Sequence, residues 1–84
     1  MHHHVFFLFS LNSGGRIDHA HHDSYVANAL NETAAFSDAV QAALDLTSES
    51  DTLIVVTADH SHSVAINGYP YISSDILGKF DNFT

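Results

Sequence analysis

Residues 13–23 read SGGRIDHAHHD, and we expect the rest of the chain to be organised around this stretch. It carries three histidines, two aspartates and an arginine, and it is flanked by apolar sequence. A second cluster, TADHSH at residues 57–62, again combines a carboxylate with imidazoles and follows another apolar run. Two such clusters predict one metal site that is assembled from two loops.

Apolar runs precede both clusters. Val5–Phe9 and Leu53–Val56 are continuous and rich in β-branched or aromatic residues, which is typical of strands buried on both faces of a parallel sheet. Between these runs, apolar residues recur at steps of three and four from about Ser24 to Leu46. That spacing predicts one amphipathic helix, capped by Asp23 or by the serine that follows it.

The order strand, helix, strand predicts an α/β fold built on a βαβ unit with a right-handed crossover. Gly14 and Gly15 give the backbone the freedom to turn sharply from the first strand into the helix. Ligands in open α/β sheets bind just beyond the carboxyl ends of the strands, where both polar clusters would lie. Neighbouring strands would hold the two clusters about 5 Å apart.

Composition limits the size and the partners of the chain. Its 84 residues make at most one small domain, and 45% hydrophobic with 14% charged residues argues against disorder or a coiled coil. A net charge of −8 disfavours nucleic acid and anionic lipid, so we expect neither as a partner. An anionic substrate would need metal ions to offset that charge. The absence of cysteine excludes thiolate ligands, and residues 1–4 resemble a tag or a disordered end.

Residue spacing indicates how the clusters would bind metal. On a helix, Asp18 and His22 would share one face and one cation. Ligation by carboxylate and imidazole without sulfur suits zinc, with manganese, iron or cobalt as alternatives. Asp59 and His60 would turn toward a second ion, and His62 would hydrogen-bond a ligating carboxylate. Taken singly, each Asp–His pair is more typical of a solvated helix face or a satisfied cap, so the metal hypothesis depends on their joint occurrence.

The motifs also resemble a known family. FFLF, GGRIDHAHHD, LNETAAFSDAVQAALDLTSESDTLIVVTADHSH and GYP closely resemble alkaline phosphatases, particularly the animal type, over about residues 6–78. The resemblance implies that residues 1–84 are a partial domain of a larger three-layer α/β/α enzyme. Such an enzyme hydrolyses phosphate monoesters through a phosphoserine intermediate, using two zinc ions and one magnesium ion. The resemblance further implies a homodimer at the cell surface or outside the cell, although we identify no targeting signal in these residues.

The family motif assigns roles to single residues. Asp18 and His22 match ligands of the first zinc, and Asp59 and His60 match ligands of the second. His62 matches a histidine that supports the aspartate of the first zinc.

Departures from the family motif limit these assignments. Ser13 stands where the family usually has a magnesium-binding glutamate, so the magnesium site is in doubt. We find no counterpart of the nucleophilic serine segment and assign no catalytic residue. We therefore expect a fragment that is inactive alone. A non-catalytic zinc-binding module and a truncated product without a retained role are the alternatives.

Overall fold

The computed structural model describes residues 6–65, 68–69 and 71–78. Within those residues the chain forms two helices, α1 (Arg16–His22) and α2 (Val26–Leu46). The apolar segments before α1 and after α2 run without regular secondary structure. The end expected to be tag-like or disordered, residues 1–4, lies outside the described residues.

The predicted βαβ unit, and with it the parallel sheet of a three-layer α/β/α fold, is wrong for the described residues. No strand forms at residues 6–9 or at Leu53–Val56, and Val5 lies outside the description. Phe7 is 93% exposed and Leu53 is 87% exposed. Two parallel strands with one helix would leave both outer edges unpaired and much of both faces uncovered, so such a pair is not stable in water. The runs have the composition of sheet interior, but a sheet interior needs further strands and a second helical layer.

The long predicted helix is confirmed with a small change at its start. It was expected from about Ser24 and is observed as α2, which ends at Leu46 as predicted. Its N-cap is Tyr25, without a side-chain cap hydrogen bond, so the capping role given to Asp23 or Ser24 is wrong. Ser24 instead has a φ of 59° and occupies the turn that separates α1 from α2.

Small residues hold α1 against α2. Ala20 and Ala29 are the buried hydrophobic residues of the described chain, at 8% and 1% exposure. The backbone N–H of Tyr25 donates to the carbonyl of Ala20 at 2.9 Å. A Cβ atom on Gly14 would lie 3.1 Å from Cδ2 of Phe36, so the absence of a side chain lets the segment before α1 approach α2. These contacts fix the direction in which α1 presents its polar residues.

The chain is extended rather than globular. Its radius of gyration is 19.6 Å, with extents of 78 × 22 × 14 Å. A compact domain of this length would have a radius of about 12 Å. The accessible surface of 8234 Å² likewise exceeds the roughly 4,900 Å² expected for a compact monomer. Neither of the described helices combines the length and apolar character that crossing a bilayer requires.

Candidate metal centre

Helix α1 brings the first two predicted ligands together. Oδ2 of Asp18 lies 3.3 Å from Nε2 of His22, one helical turn further along. Asp18 lies in the first turn of α1 and His22 in the last turn. The positive end of the helix dipole lies at the N-terminus, near the Asp18 carboxylate. A single short helix thus creates half of the candidate site.

The segment after α2 brings two more imidazoles to the same carboxylate. Nε2 of His60 lies 3.5 Å from Oδ1 of Asp18, and Nε2 of His62 lies 3.8 Å from the same atom. The sequence predicted this meeting through two neighbouring strands. In the described residues it occurs without a sheet, since residues 57–62 contact α1 through side chains.

Asp59 lies apart from this group. Its side chain is 88% exposed, and its Oδ2 lies 3.7 Å from Nε2 of His60. Its Oδ1 accepts a hydrogen bond of 3.0 Å from the backbone N–H of His60. Among the described residues, the donor atoms of Asp18, His22 and His62 all lie within 4.8 Å of one another, and Asp59 is not part of that set.

One oxygen of Asp18 is left without a hydrogen-bond partner. Oδ1 is shielded from solvent and accepts no hydrogen bond. The nearby Nε2 atoms of His60 and His62, at 3.5 and 3.8 Å, are beyond good hydrogen-bond distance. A shielded carboxylate oxygen without compensation is costly, and a cation shared with the imidazoles would remove that cost. One carboxylate with several imidazoles is a donor set that suits zinc and similar ions.

The backbone determines which ring nitrogen is available in two of the histidines. Nδ1 of His60 lies 2.8 Å from the carbonyl oxygen of Ser61, and Nδ1 of His62 lies 3.0 Å from that of Ser63. A carbonyl only accepts hydrogen bonds, so we assign the ring proton to Nδ1 in both cases. In the neutral form, Nε2 then carries a lone pair that faces Asp18. That is the tautomer a metal ion requires at Nε2.

Ring packing holds His62 in place. Its ring lies nearly parallel to that of His21, with centroids 5.2 Å apart and an angle of 17° between the planes. The ring of His22 meets it edge-on, with centroids 4.6 Å apart and an angle of 88°. The His62 side chain is only 18% exposed. Sequence reasoning missed His21, whose only signal was its place in the run DHAHH.

The surroundings of His60 favour its protonated form. Its pKa is raised above the ordinary value, chiefly by the hydrogen bond to the carbonyl of Ser61 and next by the charge of Asp59. Asp18 adds to the increase, and partial desolvation opposes it. Without a metal ion, a protonated His60 would partly offset the negative charge of the neighbouring Asp18 and Asp59 carboxylates.

Comparisons with known proteins identify similar sequences. A family model described as alkaline phosphatase matches residues 2–82. Membrane-bound alkaline phosphatase of Bombyx mori is 52% identical over 73 residues, which is 87% of this chain and 13% of that protein. Alkaline phosphatase 4 of Drosophila melanogaster is 53% identical over 68 residues, which is 81% of this chain and 11% of that protein.

A human protein shows the same relationship. The tissue-nonspecific isozyme of alkaline phosphatase is 47% identical over 71 residues, or 84% of this chain and 14% of that protein. The chain therefore spans 11–14% of the length of these three relatives. No solved structure matches the chain.

Proposed function

The chain belongs to the alkaline phosphatase family, and from that membership we propose that it supplies zinc ligands to an enzyme that hydrolyses phosphate monoesters. Because the chain spans 11–14% of the length of its relatives, we assign hydrolysis to the whole enzyme and a share of the metal centre to this segment. The supporting observation is that the donor atoms of Asp18, His22 and His62 lie within 4.8 Å of one another.

The proposed ligand assignment follows the family motif. Asp18 and His22 hold the first zinc ion, and Asp59 and His60 contribute to the second. His62, in the role that the motif implies for the whole enzyme, supports Asp18. The 3.3 Å separation of the Asp18 and His22 donor atoms supports the first assignment. Ser13 offers no carboxylate, so we assign no magnesium ligand to this segment.

The chemistry of phosphate ester hydrolysis explains why these residues matter. Zinc ions, when bound, offset the charge of the phosphate group and lower the pKa of the hydroxyl or water that attacks phosphorus. Asp18 supplies a shielded carboxylate oxygen, and the Nδ1–H groups of His60 and His62 are fixed on backbone carbonyls so that Nε2 stays available. The net charge of −8 would otherwise repel a phosphate dianion. Hydrolysis through a phosphoserine would use a serine elsewhere in the enzyme.

Further proposals follow from the family resemblance rather than from the site. We propose that the segment is part of one larger domain and that the whole enzyme acts as a homodimer. We also propose a cell-surface or extracellular location for the enzyme. The location is supported by the Bombyx mori relative, which is named a membrane-bound alkaline phosphatase.

Zinc titration calorimetry tests the proposed function. The chain would be used with His2, His3 and His4 replaced by alanine, because three adjacent imidazoles bind zinc by themselves. We expect saturable binding that Asp18→Ala weakens by about 100-fold or more, as loss of a direct ligand should exceed the 10- to 100-fold cost of losing a supporting group. Binding that Asp18→Ala leaves unchanged would contradict the proposal.

A phosphatase assay tests whether hydrolysis requires the whole enzyme rather than this segment alone. With a chromogenic phosphate ester and excess zinc, we expect no turnover by the 84-residue chain. Zinc-dependent turnover that is lost in Asp59→Ala would overturn the assignment of hydrolysis to the whole enzyme.

A non-catalytic zinc-binding module is the second candidate. The observation that favours it is that the Asp18, His22 and His62 donors converge within this chain, without any other segment. Both candidates predict zinc binding, but helical circular dichroism that increases on zinc addition would support the module, since metal binding and folding are then coupled within this chain. A disordered chain with no zinc binding would instead indicate a product without a retained role.

A further inference from the structure

We propose that, in this chain by itself, His62 binds the metal ion directly and completes a three-residue site with Asp18 and His22. This inference rests on the proposed metal-centre function and deepens it. It begins from a distance. A supporting role requires a hydrogen bond to Asp18, but Nε2 of His62 lies 3.8 Å from Oδ1, and a neutral His62 whose proton is on Nδ1 has no N–H at Nε2 to donate.

The donor separations fit a shared ion better than a hydrogen bond. Ligand atoms that are each 2.0–2.1 Å from a tetrahedral zinc ion lie about 3.3 Å from one another. Oδ2 of Asp18 and Nε2 of His22 are 3.3 Å apart. The 3.8 Å separation from His62 is measured to the other carboxylate oxygen, Oδ1, and the donor atoms of Asp18, His22 and His62 all lie within 4.8 Å of one another.

The His62 ring is already oriented for ligation. The carbonyl of Ser63 holds the proton on Nδ1, so the lone pair of neutral His62 is on Nε2. His21 stacks on one face of the ring, and His22 contacts it edge-on. A ring that is ordered before binding loses less conformational entropy when it binds an ion.

The neighbouring histidine provides an internal comparison. The His60 side chain is 53% exposed, whereas that of His62 is 18% exposed. Nε2 of His60 also lies near Asp18, at 3.5 Å, but His60 is not among the residues whose donor atoms converge. The structure therefore favours His62 as the third ligand, with His60 at the margin of the site.

Cadmium NMR tests this role without relying on activity. The chain with His2–His4 replaced by alanine would be labelled with ¹⁵N-histidine and titrated with ¹¹³Cd²⁺, a probe of zinc-type sites. A directly bound ring nitrogen shows a scalar coupling to ¹¹³Cd, whereas a supporting histidine does not. We expect coupling at Nε2 of both His22 and His62.

Zinc affinities of single variants provide a second readout. We expect His62→Ala to weaken zinc binding as much as His22→Ala does, by about 100-fold or more, beyond the cost of losing a supporting group. His19→Ala is the matched control, because His19 is exposed on the same helix and is not among the converging donors. If His62→Ala disrupts α1 or α2, the coupling measured in the unsubstituted His62 chain still decides the question.

The possible failures are distinguishable. Coupling at His22 without coupling at His62 would overturn the direct role of His62 and leave the proposed metal-centre function intact. Binding of ¹¹³Cd²⁺ that does not depend on Asp18 would overturn the metal-centre function itself.

Discussion

The rings of His21 and His62 lie 5.2 Å apart between centroids, with 17° between their planes. His21 is the residue before His22 in α1, so this stack ties the segment at residues 57–62 to the helix that carries the first pair of proposed ligands. The stack is therefore a structural link between the two parts of the candidate site, and it involves a residue to which the family motif gives no role.

Loss of the His21 ring should weaken metal binding without removing a ligand. A stacked aromatic pair contributes about 0.5–1.5 kcal/mol, so we expect His21→Ala to lower zinc affinity by about two- to tenfold. His21→Phe keeps a flat ring and should restore most of the affinity. Calorimetry with the chain whose His2–His4 are alanine measures both variants. Equal losses in His21→Ala and in the exposed control His19→Ala would contradict the stacking role.

The titration of His60 should report its hydrogen bond and its carboxylate neighbours. A pKa raised in the folded chain means that protonation stabilises the packing of this segment. That contribution is complete below the ordinary histidine pKa and is lost as the pH rises through the raised value. Asp59→Asn should lower the pKa only in part, because the hydrogen bond to Ser61 is the larger cause.

Histidine chemical shifts measure this pKa in the metal-free chain. The same chain in urea gives the unfolded reference. A pKa for His60 that is equal in the two conditions would rule out the proposed interactions. Zinc affinity should also fall in acid, because a proton and a metal ion compete for Nε2.

Gly14 should tolerate substitution less well than Gly15. A Cβ atom on Gly14 would lie 3.1 Å from the Phe36 ring and 3.3 Å from Ile17, whereas one on Gly15 would have its nearest neighbour at 3.7 Å. Gly15→Ala should be neutral or slightly stabilising, by about 0.4–1 kcal/mol, because it restricts the unfolded chain. Gly14→Ala should be less stable than Gly15→Ala by about 1 kcal/mol, since overpacking is costly.

Thermal unfolding followed by helical circular dichroism compares these two variants. Both replace glycine with alanine in adjacent positions, so each is the control for the other. A higher midpoint for Gly14→Ala than for Gly15→Ala would show that the close approach to α2 is not important.

The exposed apolar segments should make the chain self-associate. Phe7 and Leu53 are 93% and 87% exposed, and contiguous apolar surface promotes association. Phe7→Glu and Leu53→Glu should each increase the monomer fraction measured by light scattering. Ala34→Glu adds the same charge at an exposed position of α2 and should have a smaller effect. If all three variants had an equal effect, self-association would depend on net charge rather than on the exposed apolar surface.

The sequence predicted what depends on local spacing. The apolar steps that predict a helix ending at Leu46 follow from 3.6 residues per turn, and α2 ends there. The pairing of Asp18 with His22 has the same origin, because residues one turn apart share a helix face. The cap at Ser24 was wrong because a second helix precedes α2, and the turn between the helices places Ser24 in the left-handed region.

The sequence could not predict what depends on partners. Val5–Phe9 and Leu53–Val56 have strand composition, but a strand requires neighbours on its edges, and none is present among the described residues. The approach of His60 and His62 to Asp18 was expected from a sheet, yet it occurs through imidazole–carboxylate contacts and the stack on His21. Contacts between residues distant in sequence leave no periodic signal.

The convergence of Asp18 and His62 has a topological consequence. Asp18 precedes α2 in the sequence and His62 follows it. One ion bound to both residues would therefore close a loop of chain that contains the whole of α2. In a chain without cysteine, this is the counterpart of a disulfide cross-link. Because the site does not exist in the unfolded chain, the free energy of binding the ion adds to the stability of the folded chain. A single cation would thereby stabilise a fold whose buried hydrophobic residues, in the part of the chain that is described, are two alanines.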